Sequence, residues 1–219
     1  YAERDVIGDL NIIKNFKYQT LRDYYHKWYR PDLQAIAVVG DFDVDQMEKK
    51  VKELFSKIPT PVNPAKRENF TVNPHDEIYY VCATDKELTQ STVNVYIKYP
   101  APTKEEKNHQ YMKNGILQSF YNTMLGQRVS ELLQKGNPPF ISAKAGFGGG
   151  IVRGWNTYFI STTAKPNEEA EALEAIYREN ERVKKFGFTE GELERAKTNM
   201  LVGLESANKQ KDKTTSEDY

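Results

Sequence analysis

Apolar residues recur at helical spacing near the start of the chain, within residues 16–43. After Thr20, whose side chain is suited to cap a helix, they occupy one face: Leu21, Tyr24, Tyr25 and Trp28. This spacing predicts an amphipathic helix that begins after Thr20. Pro31 lacks a backbone N–H and restricts the residue before it, so we expect the helix to end at Tyr29 or Arg30.

A continuous apolar run follows this predicted helix. Residues 35–39 read AIAVV, and an uninterrupted short run is typical of a strand covered on both faces. Gly40 and Asp41 then favour a turn. Residues 44–55 place apolar side chains on one helical face: Val44, Met47, Val51, Leu54 and Phe55. The pattern therefore predicts a helix, a buried strand and a second helix in succession.

The composition changes after this unit. Residues 59–67 read PTPVNPAKR, which is rich in proline and poor in large apolar side chains. Such a stretch is typical of a semi-rigid linker. We therefore predict that residues 1–60 are the end of one domain, that residues 61–72 are a linker, and that residues 73–219 form a second domain.

The pattern beyond the linker predicts an α+β domain. The predicted strands are residues 77–83, 92–99, 140–147 and 155–163, with the glycines of residues 148–150 at the bend between the last two. The predicted helices are residues 109–125, 128–134 after an interruption at Gly126, 167–186, and a last helix that Thr189 and Glu192 open as a capping box. Strands and helices grouped in this order favour an antiparallel sheet with its helices on one face.

Net charge, the length of the apolar runs and cysteine content bear on the partners and cross-links of the chain. Lys+Arg and Asp+Glu are both 31, so the net charge of zero does not indicate binding to nucleic acid or to an anionic membrane. The purely apolar runs are far shorter than the ~20 residues that span a bilayer. The one cysteine, Cys82, excludes an internal disulfide, and its apolar neighbours predict that it is buried.

Residue types that catalyse reactions are present without the spacing that catalysis requires. A zinc peptidase site needs two histidines one helical turn apart and a carboxylate, whereas His26, His75 and His109 are far apart in sequence. Cys82 has no histidine near it in sequence, and no G-x-S-x-G motif occurs. The glycines of residues 146–150 are not followed by Lys-Ser or Lys-Thr, which favours a bend between strands over a phosphate-binding loop. We therefore expect neither a catalytic residue nor a metal ligand in this chain.

Phrases at both ends of the chain resemble one family. YHKWYRP at residues 25–31, the apolar run with its Gly-Asp turn, and FSKIP at residues 55–59 are similar in order to the pitrilysin/insulinase-type zinc peptidases and to mitochondrial processing peptidases. FTEGELERAK at residues 188–197 resembles the family's last helix, and residues 6–8 resemble its Gly-containing approach to the first unit. The resemblance implies a metallohydrolase-like α+β fold, a two-layer antiparallel sheet with helices on one face.

The resemblance also implies where the zinc chemistry lies. The family carries its metal site as H-x-x-E-H with a further Glu downstream, and both belong upstream of Tyr1. Residues 1–60 would then close a preceding domain of the catalytic type. Zinc would belong to the parent protein, and this chain would hold no cofactor and would not be catalytic by itself. The chain starts without Met and in mid-pattern, so we expect a piece of a longer polypeptide whose other domains are its partners.

Two residues of this chain differ from those at the corresponding positions in the catalytic members of the family. Catalytic members hold the substrate carbonyl with an Arg and a Tyr, and the aligned residues here are Leu133 and Phe140, which cannot donate the hydrogen bonds required. The resemblance is therefore to the second, non-catalytic domain of the N-terminal half, which binds extended peptide at an exposed strand edge. The matching candidate substrate-binding residues are Leu125, Gly126, Ser142, Ala143, Lys144, Ala145 and Gly146. An ordinary hairpin without a peptide role is the other reading of this segment.

Three functions follow as hypotheses. The first is a peptide-positioning and scaffolding segment of a zinc metalloendopeptidase. The second is a structural or interaction domain of a zinc-free homologue of processing peptidase, which an intact H-x-x-E-H upstream would exclude. The third, a free-standing binding domain, requires Tyr1 and Tyr219 to be true chain ends. For a bacterial parent we expect a periplasmic or cell-envelope location.

Overall fold

The computed structural model describes residues 7–70, 72–150 and 152–215, so Val6 of the predicted approach segment lies outside the described residues. The chain divides into two compact units. The first unit consists of Tyr1–Asn69 together with Thr214–Tyr219, and the second is Phe70–Lys213. The division after Asn69 falls within residues 61–72, the predicted linker. None of the described helices has the length and hydropathy that a membrane span requires.

The N-terminal unit is helical in its described residues. Its helices are α1 (Leu10–Asn15), α2 (Tyr18–Trp28), a 3-10 turn (Pro31–Leu33) and α3 (Val44–Phe55). Helix α2 begins after Lys17, so Thr20 lies inside it and the prediction of Thr20 as its N-cap is wrong. Helix α3 has the predicted bounds, because the Asp43 carboxylate accepts a hydrogen bond from the Gln46 backbone N–H at 2.9 Å.

Two predicted strands are absent from the described residues. The run at residues 35–39 forms no strand, and Val39 is 65% exposed. The run at residues 77–83 forms none either; Val81 is 92% exposed, and Cys82 is exposed rather than buried as predicted. A strand needs a neighbour that pairs with its backbone N–H and C=O groups. The apolar composition of these runs was therefore a poor guide, because no described strand pairs with either of them.

The second unit contains a three-stranded antiparallel sheet. Its strands are β1 (Ser91–Pro100), β2 (Phe140–Gly148) and β3 (Trp155–Ala164), and their order is β1-β3-β2. The hairpin of β2 and β3 places Ala145 opposite Ile160, and the pairing register shifts between Phe140 and Ser142. Three of the four predicted strands of this domain are thus present.

Three helices accompany the sheet: α4 (His109–Gln134), α5 (Glu169–Phe186) and α6 (Glu190–Gln210). The predicted break at Gly126 is wrong, since α4 runs through it without interruption. A glycine in a helix costs about 1 kcal/mol relative to alanine. The neighbouring Leu125 and Val129 are buried against the sheet, and their packing outweighs this cost.

The predicted start of the last helix is confirmed in atomic detail. The Thr189 hydroxyl accepts from the Glu192 backbone N–H at 3.3 Å, and the Glu192 carboxylate accepts from the Thr189 N–H at 2.7 Å. This reciprocal pair is a capping box. Gly187, with φ of 70°, ends α5 just before it.

The hydrophobic core lies between the sheet and helices α4 and α5. Its buried members come from both layers: Leu125, Val129, Phe140, Ala145, Ile160, Ala164, Ala172, Ile176 and Val183. The two helices therefore cover one face of the sheet. This confirms the predicted α+β class with an antiparallel sheet and helices on one face.

Trypsin is expected to cut the native chain first at Lys66 or Arg67. The Arg30 guanidinium donates to the Ala65 carbonyl at 2.5 Å on one side of this segment. On the other side, the Trp155 indole N–H donates to the Val72 carbonyl at 2.9 Å. Lys66 and Arg67 lie between these two hydrogen bonds and are exposed. Proteases cleave exposed, unpaired segments first. Mass spectrometry of the earliest fragments measures this. A first cut inside β2 or β3 would contradict the predicted linker.

Candidate functional site

The candidate site is a groove beside strand β2. We call it the edge groove, and its volume is about 710 Å³, within the range of typical ligand sites. One wall is the face of α4 that carries Asn122, Thr123, Gly126, Gln127, Ser130, Glu131 and Gln134. The other is residues 143–146 of β2, with Phe159 and Arg195 contributing further lining.

Strand β2 lies at an edge of the sheet. Among the described strands it pairs with β3 alone. An edge strand presents a row of backbone N–H and C=O groups that no neighbouring strand engages. The edge groove therefore contains main-chain donors and acceptors as well as side chains.

Asn122 engages this edge at one position. Its Nδ2 donates to the Phe147 carbonyl at 2.8 Å, and its Oδ1 accepts from the Phe147 N–H, also at 2.8 Å. The two bonds fix the orientation of the carboxamide, because the reverse orientation would place donor against donor and acceptor against acceptor. They also show that the backbone groups of Phe147 point away from β3.

The direction of the Phe147 groups sets the direction of its neighbours. In an antiparallel pair, backbone groups of successive residues point alternately toward and away from the partner strand. Ala145 and Ala143 therefore direct their N–H and C=O groups outward like Phe147, while Lys144, opposite Ser161, directs its groups toward β3. Two residues of open edge thus face the groove.

Two glycines shape the walls of the groove. Gly146 has φ of 154°, and a Cβ there would overlap the Asn122 carboxamide oxygen, so only glycine permits this close approach of α4 to β2. Gly126 is exposed on the groove side of α4, and a Cβ built there would meet no atom within 4 Å. Gly126 therefore keeps open a space that a larger side chain would fill.

Most of the predicted substrate-binding residues line the edge groove. Gly126, Ala143, Lys144, Ala145 and Gly146 all line the edge groove. Two do not. Leu125 is fully buried in the core, and the Ser142 hydroxyl donates to the Thr163 hydroxyl at 3.1 Å and is absent from the groove lining.

Asn122 and the polar face of α4 were missed from the sequence. Thr123, Gln127, Ser130 and Gln134 recur at helical spacing opposite the buried Leu125 and Val129, so the polar face was visible in the pattern. Its position against β2 was not, because that contact joins residues distant in sequence.

An ion-pair network holds the groove-forming helix to the other two. Arg128 of α4 donates to Glu192 of α6 at 2.5 and 2.8 Å, to Glu179 of α5 at 3.1 Å, and to the Gly187 carbonyl at 3.2 Å. Its guanidinium also lies over the Phe188 ring, 4.9 Å from the centroid. The side chains of the three ionised partners are at most 14% exposed.

This network shifts the pKa values of two of its members, Glu192 and Arg128. The hydrogen bond from Arg128 lowers the pKa of Glu192 from 4.5 to about 2. The same bond raises the pKa of Arg128 above its ordinary value. Both groups are therefore charged throughout the physiological range of pH.

The described residues do not fit a zinc site. They contain no group of three His, Cys, Asp or Glu side chains close enough to hold a metal ion. His75 is engaged with the Glu77 carbonyl at 2.8 Å, and His26 lies against the Tyr25 ring. Phe140 is 1% exposed in the core, where it cannot contact a substrate.

Comparison with known proteins gives the family. The family profile described as "Peptidase M16 inactive domain" matches residues 15–200. The chain belongs to this family. The match covers residues of both units.

Similar proteins carry the same domain within longer chains. A zinc protease PQQL-like protein of Arabidopsis thaliana is 25% identical over 99% of this chain and 20% of its own. The probable zinc protease PqqL of Escherichia coli is 23% identical over 94% of this chain and 22% of its own. The crystal structure of the periplasmic protease PqqL from Escherichia coli superposes with a TM-score of 0.80 at 22% identity, over 98% of this chain and 23% of that chain. This chain thus spans about a fifth of the length of these two curated relatives.

Proposed function

We propose that the edge groove binds an extended peptide as an added strand and so positions it for a zinc-dependent peptidase site elsewhere in the same polypeptide. The observation that carries this proposal is the open edge of β2, where Ala143 and Ala145 direct backbone groups into a groove of about 710 Å³. Strand addition at a sheet edge is a common mode of peptide recognition.

Main-chain recognition suits a domain that serves a peptidase. Hydrogen bonds to N–H and C=O groups give affinity for many sequences, whereas side-chain pockets restrict the choice. The small side chains of Ala143, Ala145 and Gly146 allow another backbone to approach β2 closely. The zinc chemistry belongs to another part of the parent protein in this proposal, and the naming of two relatives as zinc proteases supports it.

Filling the groove tests the proposal. Replacing Gly126 with Leu places a side chain in the open space beside β2, and it should weaken binding of an extended peptide at least about tenfold. Leu is a better helix former than Gly by roughly 0.8 kcal/mol, so unfolding would not explain the loss. The measurement is fluorescence anisotropy with a labelled, end-capped decapeptide of Ser, Thr and Val. We expect a dissociation constant in the micromolar range or weaker for the unmodified chain, because ordering a free peptide offsets much of its hydrogen bonding.

The matched control is Gly203→Leu. Gly203 also lies within a helix and a Cβ there meets no atom within 4 Å, but it is not part of the edge groove. The affinity of the Gly203→Leu protein for the decapeptide should stay within about twofold of that of the unmodified chain. Equal binding by the Gly126→Leu and Gly203→Leu proteins would refute the groove as the peptide site.

A further inference from the structure

We infer that Asn122 is a positioning residue that ends the open edge of β2 and thereby fixes the register of the bound peptide. This inference rests on the proposed function of the edge groove. Its basis is the pair of 2.8 Å hydrogen bonds between the Asn122 carboxamide and the backbone of Phe147. In an antiparallel ladder, a hydrogen-bonded residue pair exchanges the same two bonds. The Asn122 side chain thus takes the place that one residue of an added strand would occupy.

The edge groove is consequently short. Asn122 closes it at Phe147, and at the other end the register of β2 shifts between Phe140 and Ser142. Only Ala143 and Ala145 lie between these limits with their backbone groups directed outward. Consecutive hydrogen-bonded pairs are two residues apart, so the peptide engages through two alternate residues.

The side chains of those two peptide residues enter the groove. Residues directly opposite one another in an antiparallel pair place their side chains on the same face. Ala145 belongs to the core cluster beneath the helices, and Ala143 packs against it. Their partners therefore point toward α4, where Thr123, Gln127 and Ser130 offer hydroxyl and amide groups. The groove is also lined by the charged residues Glu131, Lys144 and Arg195. The ligand class is an extended segment with small or polar side chains at two alternate positions.

Gly146 explains why Asn122 reaches the edge. A side chain at Gly146 would overlap the Asn122 oxygen. The glycine allows α4 to approach until its carboxamide pairs with the next residue, Phe147. Gly146 and Asn122 therefore act together. The missing side chain at Gly146 leaves room for the Asn122 carboxamide, which pairs with the backbone of Phe147.

Residue-resolved amide hydrogen exchange tests this inference. In the free chain, the Phe147 amide should exchange at least about tenfold more slowly than the amides of Ala143 and Ala145. Among the described residues, Phe147 alone of these three has a hydrogen-bond partner for its N–H outside the ladder. Saturation with the end-capped Ser/Thr/Val decapeptide should slow Ala143 and Ala145 and leave Phe147 unchanged.

The Asn122→Ala variant should give a different pattern. Without the carboxamide, the free Phe147 amide should exchange as fast as those of Ala143 and Ala145. The peptide should then slow all three amides, and its affinity should rise about threefold through the added pairing. Asn122→Asp, whose carboxylate accepts from the Phe147 N–H but cannot donate to the Phe147 carbonyl, is the second variant if the alanine protein fails to fold. Its second carboxylate oxygen would face the Phe147 carbonyl oxygen in place of the Nδ2 donor, so the free Phe147 amide should exchange faster than in the unmodified chain. Unchanged exchange at Phe147 in this variant would overturn the role of Asn122.

The outcomes separate the inference from the proposed function. Slow exchange at Phe147 in the free Asn122→Ala protein overturns the role of Asn122. The role of Asn122 is also overturned if the peptide slows exchange at Ala143 and Ala145 of the Asn122→Ala protein but not at Phe147. The groove then remains a peptide site. A peptide that protects none of the three amides in the unmodified chain overturns both.

Discussion

Replacing Arg128 with Ala is expected to lower the free energy of unfolding by about 3 kcal/mol or more. The change removes the cation that pairs with Glu179 and Glu192, whose side chains are only 8% and 13% exposed. Glu192 then loses its described ion pair, and Glu179 keeps only the exposed Arg182, 3.7 Å away, among its described cations. Breaking a buried pair from one side typically costs about 3–5 kcal/mol. Chemical denaturation followed by circular dichroism measures the loss.

A surface ion pair supplies the control for this prediction. Arg178 pairs with Glu174 at 2.6 Å on the same helix that carries Glu179, but its side chain is 77% exposed. Arg178→Ala should cost less than about 0.5 kcal/mol, since exposed pairs contribute little. Arg128→Lys should fall between the two alanine variants, because one ammonium cannot reproduce the fork that engages both carboxylates. Equal stability of the Arg128 and Arg178 alanine variants would show that the network does not hold the helices together.

The same network gives the unmodified chain a defined acid sensitivity. The pKa of Glu192 is lower in the folded state, about 2 against 4.5, so the folded state binds fewer protons than the unfolded state between these values. Its contribution to stability is therefore complete above about pH 5 and is lost as the pH falls toward 2. The Arg128→Ala protein should show a smaller acid dependence of this kind, because the hydrogen bonds from Thr189 to Glu192 remain and also lower the pKa of Glu192.

Proline substitutions along β2 should separate its two backbone directions. Lys144→Pro removes an N–H that points toward β3 and should destabilise the fold by roughly 3 kcal/mol. Ala143→Pro removes an N–H that points into the groove, and proline is tolerated at such edge positions. That variant should remain folded and lose peptide affinity by at least about tenfold.

Ala143 tolerates the proline ring better than Ala145 does because it is less buried. Ala143 is partly exposed, whereas Ala145 is 8% exposed in the core, where the larger proline ring would cost stability by overpacking. Thermal melts and anisotropy titrations on both variants complete the test. A folded Lys144→Pro protein together with an unfolded Ala143→Pro protein would mean that the backbone directions of β2 are the reverse of those described.

Local signals in the sequence were sufficient for much of the fold. The bounds of α3 follow from Asp43 and the helical spacing behind it, and the start of α6 follows from Thr189 and Glu192. Strand β1 follows from strict alternation of polar and apolar residues. In each case the interactions that define the element join residues only a few positions apart.

Non-local pairing explains the errors. The apolar runs at residues 35–39 and 77–83 have strand composition, but a strand forms only where another strand supplies hydrogen-bond partners. Gly126 carries a local signal for a break, yet the burial of Leu125 and Val129 by the distant sheet keeps α4 continuous. Asn122 gave no signal at all, since its partner lies 25 residues away on a strand whose position depends on the whole fold.

The open edge of β2 also exposes the domain to association with copies of itself. The outward-directed backbone groups of an open edge can pair with the edge strand of another molecule, which is the first step of β-sheet aggregation. The short open stretch, the exposed charge of Lys144 and the carboxamide that closes the edge at Phe147 each limit such growth. Asn122 and Lys144 therefore limit aggregation at the open edge that the proposed peptide binding requires.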